Sequence, residues 1–212
     1  MPQPGLLNPR FRTAKRIFDF IFASLFLLAA LPFALVIALA IVIENPGSPF
    51  FGHMRIGKGN RRFRLWKFRS MVRDADAVLE RRLAGNPDLL AEWRQTRKLK
   101  NDPRVTRVGR LLRRSSLDEL PQLWNVLRGD MSMVGPRPIV VEEAPKYGPA
   151  FALYTQVFPG LTGLWQVSGR NDTSYRERIE LDTRYIRTWT PWLDLLVLLR
   201  TVRVVLLGHG AY

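Results

Sequence analysis

The sequence predicts a mainly α-helical α+β protein attached to a membrane surface, and three observations carry that expectation. Residues 17–43 are apolar throughout except for Asp19 and Ser24. Residues 50–68 hold two aromatic-rich runs around a Gly-rich turn, the pattern of a small β-hairpin. Most of the remainder is charged, helix-compatible sequence punctuated by Gly and Pro. A chain of 212 residues can bury a core, and its formal charge is +15, from 33 basic and 18 acidic side chains. That balance calls for an anionic partner: nucleic acid, an anionic membrane or a phosphorylated substrate. With no cysteine, disulfides and thiolate metal sites are excluded, which suits a reducing compartment.

The apolar segment leads from the charge to the membrane. Ile17–Ile43 is 27 residues long, more than the roughly 20 that span a bilayer. Pro32 lies in its middle, where it removes the bond to the Leu28 carbonyl and predicts a break. The halves 17–31 and 33–43 would rise about 22 and 16 Å, short of a hydrocarbon core of about 30 Å. Arg10, Arg12, Lys15 and Arg16 precede the segment, and Arg55, Lys58, Arg61, Arg62 and Arg64 follow it. Basic flanks favour the cytoplasmic side, so a re-entrant helix hairpin broken at Pro32 satisfies both. A single tilted spanning helix is the alternative. A cleaved signal peptide fits less well, because its apolar core is shorter. The chain divides accordingly into residues 1–45, a basic segment plus membrane helix, and residues 46–212, a body on the cytosolic face.

In that body, 50–56 and 63–68 are the expected strands around Gly57-Lys58-Gly59-Asn60. Residues 72–84 and 87–98 read as charged helices hinged at Gly85-Asn86-Pro87. Arg104, Arg107, Arg110 and Arg113 recur every third residue, which places them near one another on a helical face. Such a stripe rests on lipid headgroups or cradles phosphate, and one stripe can serve both. Gly129 is expected to end a short helix, and Val134-Gly135-Pro136-Arg137-Pro138 to form a rigid turn. Pro159–Arg170 is a Gly-rich loop carrying Trp165, Gln166 and Arg170. Residues 193–207, with Trp189 and Trp192 before them, look like an interfacial helix with aromatic anchors.

The most informative stretch is Ser115–Pro138. It sets two adjacent carboxylates, Asp118 and Glu119, just after the arginine stripe and at the expected start of a helix containing Pro121. Carboxylates there hold a metal ion or attack phosphorus, while arginines hold phosphate oxygens, which is the pattern of phosphoryl transfer. The plain structural reading is helix capping, by Asp118 or by a Ser116/Glu119 capping box.

At these residues the chain resembles the bacterial sugar transferase family, the monotopic phosphoglycosyl transferases that begin exopolysaccharide, O-antigen and capsule assembly. The resemblance runs from about Lys15 to the C-terminus. It is carried by Lys67-Phe68-Arg69-Ser70-Met71, by Ser116-Leu117-Asp118-Glu119-Leu120-Pro121-Gln122-Leu123 and by Gly129-Asp130-Met131-Ser132. Gly135-Pro136-Arg137-Pro138 and Gly163–Arg170 complete the set. Met54 departs from it, standing where a polar or acidic residue is expected. Larger relatives carry a transmembrane bundle and a nucleotide-fold domain in front, so this chain looks like the minimal catalytic form.

The resemblance implies a re-entrant membrane helix, amphipathic interfacial helices and a compact active site at the cytoplasmic face of the bacterial inner membrane. The implied reaction moves a hexose 1-phosphate from a UDP-sugar to undecaprenyl phosphate and releases UMP, through a phosphosugar intermediate on Asp118. Glu119 then has two candidate roles, Mg²⁺ ligand with Asp118 or base, and the metal role is favoured. Lys67, Arg69, Arg113, Arg137 and Arg170 are the candidate phosphate contacts. No nucleic-acid partner is expected, although the charge alone would suit a membrane-bound nucleic-acid-binding protein, and an inactive scaffold is the other rival. Galactose and glucose donors are not separated by any physical feature of the sequence, nor is the oligomeric state.

Overall fold

The computed structural model describes residues 5–96, 99, 101–169 and 173–207. Helix α1 runs unbroken from Pro9 to Glu44. Its start is dictated locally: Asn8 accepts the Arg10 amide at 3.0 Å, and Pro9 supplies a preset φ where no amide partner is needed. The expected break at Pro32 is therefore corrected, since Pro32 lies inside one continuous helix. Proline deletes a single bond, and in an apolar segment every retained backbone bond favours staying helical. Along α1 one face is inward, with Lys15, Asp19, Ala23 and Ile41 buried and Ala34, Ile37 and Ala38 half-buried. The opposite face exposes Leu25, Leu28, Phe33, Leu35, Val36, Leu39 and Ile43. The helix is long and apolar enough to cross a membrane.

Strands β1 (Phe50–Ile56) and β2 (Arg62–Phe68) form the predicted antiparallel hairpin, with Phe50 opposite Phe68 and Ile56 opposite Arg62. Gly59 makes the turn with φ 66°, a conformation glycine adopts without penalty. Helices α2 (Ala75–Ala84) and α3 (Pro87–Thr96) separate at the expected hinge, where Asn86 accepts the amides of Asp88 and Leu89. Helix α4 (Arg107–Ser115) leads through a 3-10 turn, Leu117–Glu119, into α5 (Gln122–Arg128). Gly129 ends α5 with φ 86° and returns its amide to Asn125 and Val126.

Strand β3 (Ser132–Val134) then pairs in parallel with β4 (Gly160–Thr162), after the short helices α6 (Ala144–Tyr147) and α7 (Ala150–Tyr154). Helices α8 (Tyr175–Thr188) and α9 (Pro191–Leu207) close the molecule. The main core gathers Ala23 of α1, Leu123 and Val126 of α5, Met133 and Val134 of β3, Tyr185 and Ile186 of α8 and Val197 of α9. Trp189 belongs to that core at 4% exposure, so it is no interfacial anchor, whereas Trp192 is 74% exposed.

Both ends of α1 are fastened to this one body. Arg16 donates to the Val126 and Leu127 carbonyls at 2.7 and 3.1 Å, neutralising the C-terminal end of α5. Glu44 accepts the Arg107 and Val108 amides at 2.7 and 3.0 Å, which caps α4 from outside.

Candidate active site

A cleft of about 800 Å³ opens between β2, α4, the 3-10 turn and the loops after β3 and β4. The end of β2 brings Lys67 into its lining together with Phe68, which is itself buried in a cluster with Ile41 and Leu112. The chain turns sharply at Ser116, whose φ of 56° is left-handed, and that turn delivers Asp118 and Glu119 side by side. Asp118 is buried. Lys67 Nζ bridges the two carboxylates, 3.3 Å from Asp118 Oδ2 and 2.6 Å from Glu119 Oε1.

This corrects the expected capping. Neither acid starts an α-helix: both lie in the 3-10 turn, Pro121 occupies the N-cap of α5, and neither Ser116 nor Pro121 makes a side-chain cap. Burial, rather than a helix end, governs Asp118. It pushes the carboxyl above the usual carboxylate range, against the pull of Lys67 and a smaller pull from Arg113, while Glu119 adds to the rise.

The arginine stripe is divided. Arg104 precedes α4 and makes a bidentate pair with Asp102 at 2.8 and 2.7 Å. Arg113 lies in the cleft wall and donates through Nε to Ser70 Oγ at 2.8 Å. Arg107 and Arg110 are exposed and do not line the cleft, because a spacing of three drifts around a helix of 3.6 residues per turn. Gly109 permits the contact: a Cβ there would meet the Ser70 carbonyl oxygen at 2.0 Å.

Arg69 and Arg137 also line the cleft. Arg137 stacks over Trp165 at 5.4 Å, and Arg178 lies 5.0 Å from the same ring. The Arg137 backbone is held by Asp182, which also accepts the Tyr147 hydroxyl at 2.8 Å. Burial pushes Asp182 up to about 7, although its hydrogen bonds and Arg178 favour the ionised form. Arg178 pairs with Glu143 at 3.2 Å, and Arg55 lies 3.8 Å from the same carboxylate. Arg170 lies outside the described residues. His53 is exposed on β1 and takes no part in the lining.

Sequence reasoning missed Arg73, Glu143, Arg178 and Asp182. The last two sit four apart on α8, a spacing shared with any solvated helical pair. Among the described residues no three acidic or histidine side chains gather as a metal cluster. Asp118 and Glu119 are hard oxygen donors of the class Mg²⁺ takes, and here the Lys67 ammonium bridges them.

A model of the bacterial sugar transferase family matches residues 10–208. The exopolysaccharide production protein ExoY of Rhizobium meliloti is 48% identical over 210 residues, covering 99% of this chain and 93% of ExoY. The UDP-galactose-lipid carrier transferase of Erwinia amylovora is 49% identical over 201 residues, covering 95% of this chain and 42% of that protein. The undecaprenyl-phosphate galactose phosphotransferase of Salmonella typhimurium is 47% identical over 211 residues, covering 99% and 44%. The chain thus spans most of ExoY and less than half the length of the other two. With the family model matching residues 10–208 and a relative 48% identical over 99% of its length, this chain belongs to the bacterial sugar transferase family.

Proposed function

We propose that the protein transfers a hexose 1-phosphate from a UDP-sugar to undecaprenyl phosphate and releases UMP, an early membrane step of exopolysaccharide synthesis. The observation that carries this reading is the Asp118–Glu119 pair, bridged by Lys67 in a cleft lined by Arg69, Arg104, Arg113 and Arg137.

In the first step an Asp118 carboxylate oxygen attacks the β-phosphorus of the donor. The bond from that phosphorus to the α–β bridging oxygen breaks, and UMP leaves with the electron pair. In the second step a phosphate oxygen of the lipid acceptor attacks the same phosphorus, and the carboxylate is released as the new diphosphate forms. Dividing the transfer spares two anionic substrates from meeting directly. Lys67 counters the charge of the dyad at rest, and Arg113 and Arg137 hold phosphoryl oxygens as charge spreads over them. Mg²⁺ on Asp118 and Glu119 would supply a further positive charge next to the diphosphate.

The fastening of α1 at Arg16 and Glu44 supports a monotopic placement. With both ends on one body, the exposed apolar face enters a single leaflet, the cytoplasmic one of the inner membrane, where acceptor phosphate and soluble donor both reach the cleft. The test is purified protein in nanodiscs with Mg²⁺, undecaprenyl phosphate and a panel of UDP-sugars. UMP release with at least one donor is expected, and none with any donor would overturn the reading.

A further inference from the structure

The cleft holds a second pair of cations, away from the acid dyad. Arg69 donates through Nη2 to the carbonyl of Asn45, one residue beyond α1. Arg73 stands beside it: a Cβ on Gly47 would lie 3.0 Å from both Arg69 Nη1 and Arg73 Cδ. Neither guanidinium forms an ion pair with a carboxylate among the described residues. Arg69 Nε is buried without a hydrogen-bond partner. Asp76 also lines the cleft, but its charge acts on Arg104. Two like charges held together without a paired acid suit a seat for an anion.

Apolar packing links the membrane helix to that corner, through the buried Ile41 and Phe68. Leu39, Val42 and Ile43 are exposed on the last turns of α1. Ile41 packs on Phe68, Phe68 stacks on Phe50 at 5.4 Å, and Phe50 and Phe51 are 46% and 52% exposed at the cleft mouth. The amide of Arg69 donates to the Pro49 carbonyl at 2.8 Å, fixing the cations to the same edge. Arg69 lies two residues after Lys67, just past the end of β2, and both line the same cleft.

We propose that this corner binds the isoprenoid acceptor: Arg69 and Arg73 clamp its phosphate, and Phe50 and Phe51 lie along its first prenyl units. The UDP-sugar then takes the Arg137–Trp165 side. The assignment rests on the transferase reading above. Charge favours a phosphate monoester over a phospholipid headgroup, since a monoester brings up to two negative charges to two guanidinium groups and a diester brings one. A polar nucleotide would have no use for the exposed Phe50 and Phe51.

Arg73→Gln and Arg69→Gln test it, the exposed Arg73 being free of any fold-supporting contact given to Arg69. Arg73→Gln should raise the KM for undecaprenyl phosphate by roughly tenfold, the loss of one charge-assisted contact, and change the KM for the UDP-sugar by less than about twofold. Binding without donor gives a second readout, by native mass spectrometry with undecaprenyl phosphate, undecaprenol and phosphatidylglycerol. The native protein should prefer the prenyl phosphate over both, and the double variant should lose that preference. A rise in the donor KM equal to or above the acceptor's overturns the assignment, as does equal retention of phosphatidylglycerol by the native protein. Absence of UMP release from native protein with every donor would instead overturn the transferase reading, and the binding experiment would still judge this corner.

Discussion

Lys15 Nζ lies 2.5 Å from Asp194 Oδ2, across 179 positions of sequence, and the same ammonium is 3.5 Å from Asp19 Oδ1. All three side chains are buried. Asp19 accepts the Ser132 hydroxyl at 2.7 Å and the Met133 amide at 3.0 Å, and Asp194 accepts the Tyr185 hydroxyl at 2.6 Å. The group therefore joins α1, β3, α8 and α9. The two acids that interrupt the apolar runs of α1 and α9 are the means by which these helices find each other.

Removing one member leaves an uncompensated buried charge. Asp194→Ala should destabilise the protein by about 3–5 kcal/mol, and a Lys15→Met/Asp194→Leu pair should cost less than the sum of its single changes. Thermal unfolding in detergent, run as a double-mutant cycle, measures both; strict additivity would show that the ion pair contributes no coupling.

Asp118→Asn preserves shape and removes the nucleophilic charge. UMP release should fall by at least about 1000-fold, and the phosphosugar adduct expected by intact mass in native protein should be absent from the variant. Retention of even a few per cent of the native rate would exclude Asp118 as the attacking group.

The pH dependence of that step follows from burial. Asp118 must be ionised to attack, and its carboxyl sits above the ordinary range in the fold, so kcat/KM should fall with decreasing pH at a higher pH than a free aspartate would dictate. Lys67 opposes the shift. Lys67→Met should move the acidic limb further towards neutrality, and a limb that stays put would remove Lys67 from control of Asp118.

Glu119→Gln should raise the Mg²⁺ concentration needed for half-maximal activity by about tenfold or more, as loss of one hard oxygen ligand predicts. Chelation should abolish activity in the native protein and added Mg²⁺ restore it. Normal activity of Glu119→Gln at low Mg²⁺ would leave Glu119 neither ligand nor essential base.

Asp182 makes a stability prediction of definite sign. Its folded value of about 7 exceeds the usual 3.8, so its contribution is fully present below about pH 4 and is lost as pH rises through about 7. Melting temperatures of native protein relative to Asp182→Asn should therefore decline across that window. A flat difference would mean that the carboxyl ionises as freely folded as unfolded.

Topology is checked with single cysteines at Arg10 and Arg61, exposed positions on either side of the apolar segment. They avoid Asn8, which caps α1, and Asn60, which is left-handed. Both should resist an impermeant thiol reagent from outside and react after permeabilisation. Outside labelling of Arg10→Cys alone would identify a spanning helix.

Much of this protein was legible one segment at a time. The Phe50–Phe68 hairpin, the Gly85–Asn86 hinge and the stop at Gly129 rest on local backbone chemistry, and each forms where its residues require. The adjacency of Asp118 and Glu119 is covalent, and the basic blocks that resemble the sugar transferases lie in recognisable order. What local rules misjudged was competition. Pro32 predicted a break, but one lost hydrogen bond does not outweigh the paired turns around it, and α1 stays whole. Asp118 had the look of a cap, yet the left-handed Ser116 carries it into a 3-10 turn and against Lys67. Burial was the quantity hidden from local pattern: Asp182 and Arg178 share their spacing with any solvated pair, and Trp189 with any interfacial aromatic. Sequence alone determined the chemistry available, an acid pair, cations for phosphate and an apolar helix. Tertiary structure decided which cations meet the acids, which meet one another and which face of α1 remains open, because those choices depend on the dielectric and the neighbours that only packing brings to each side chain.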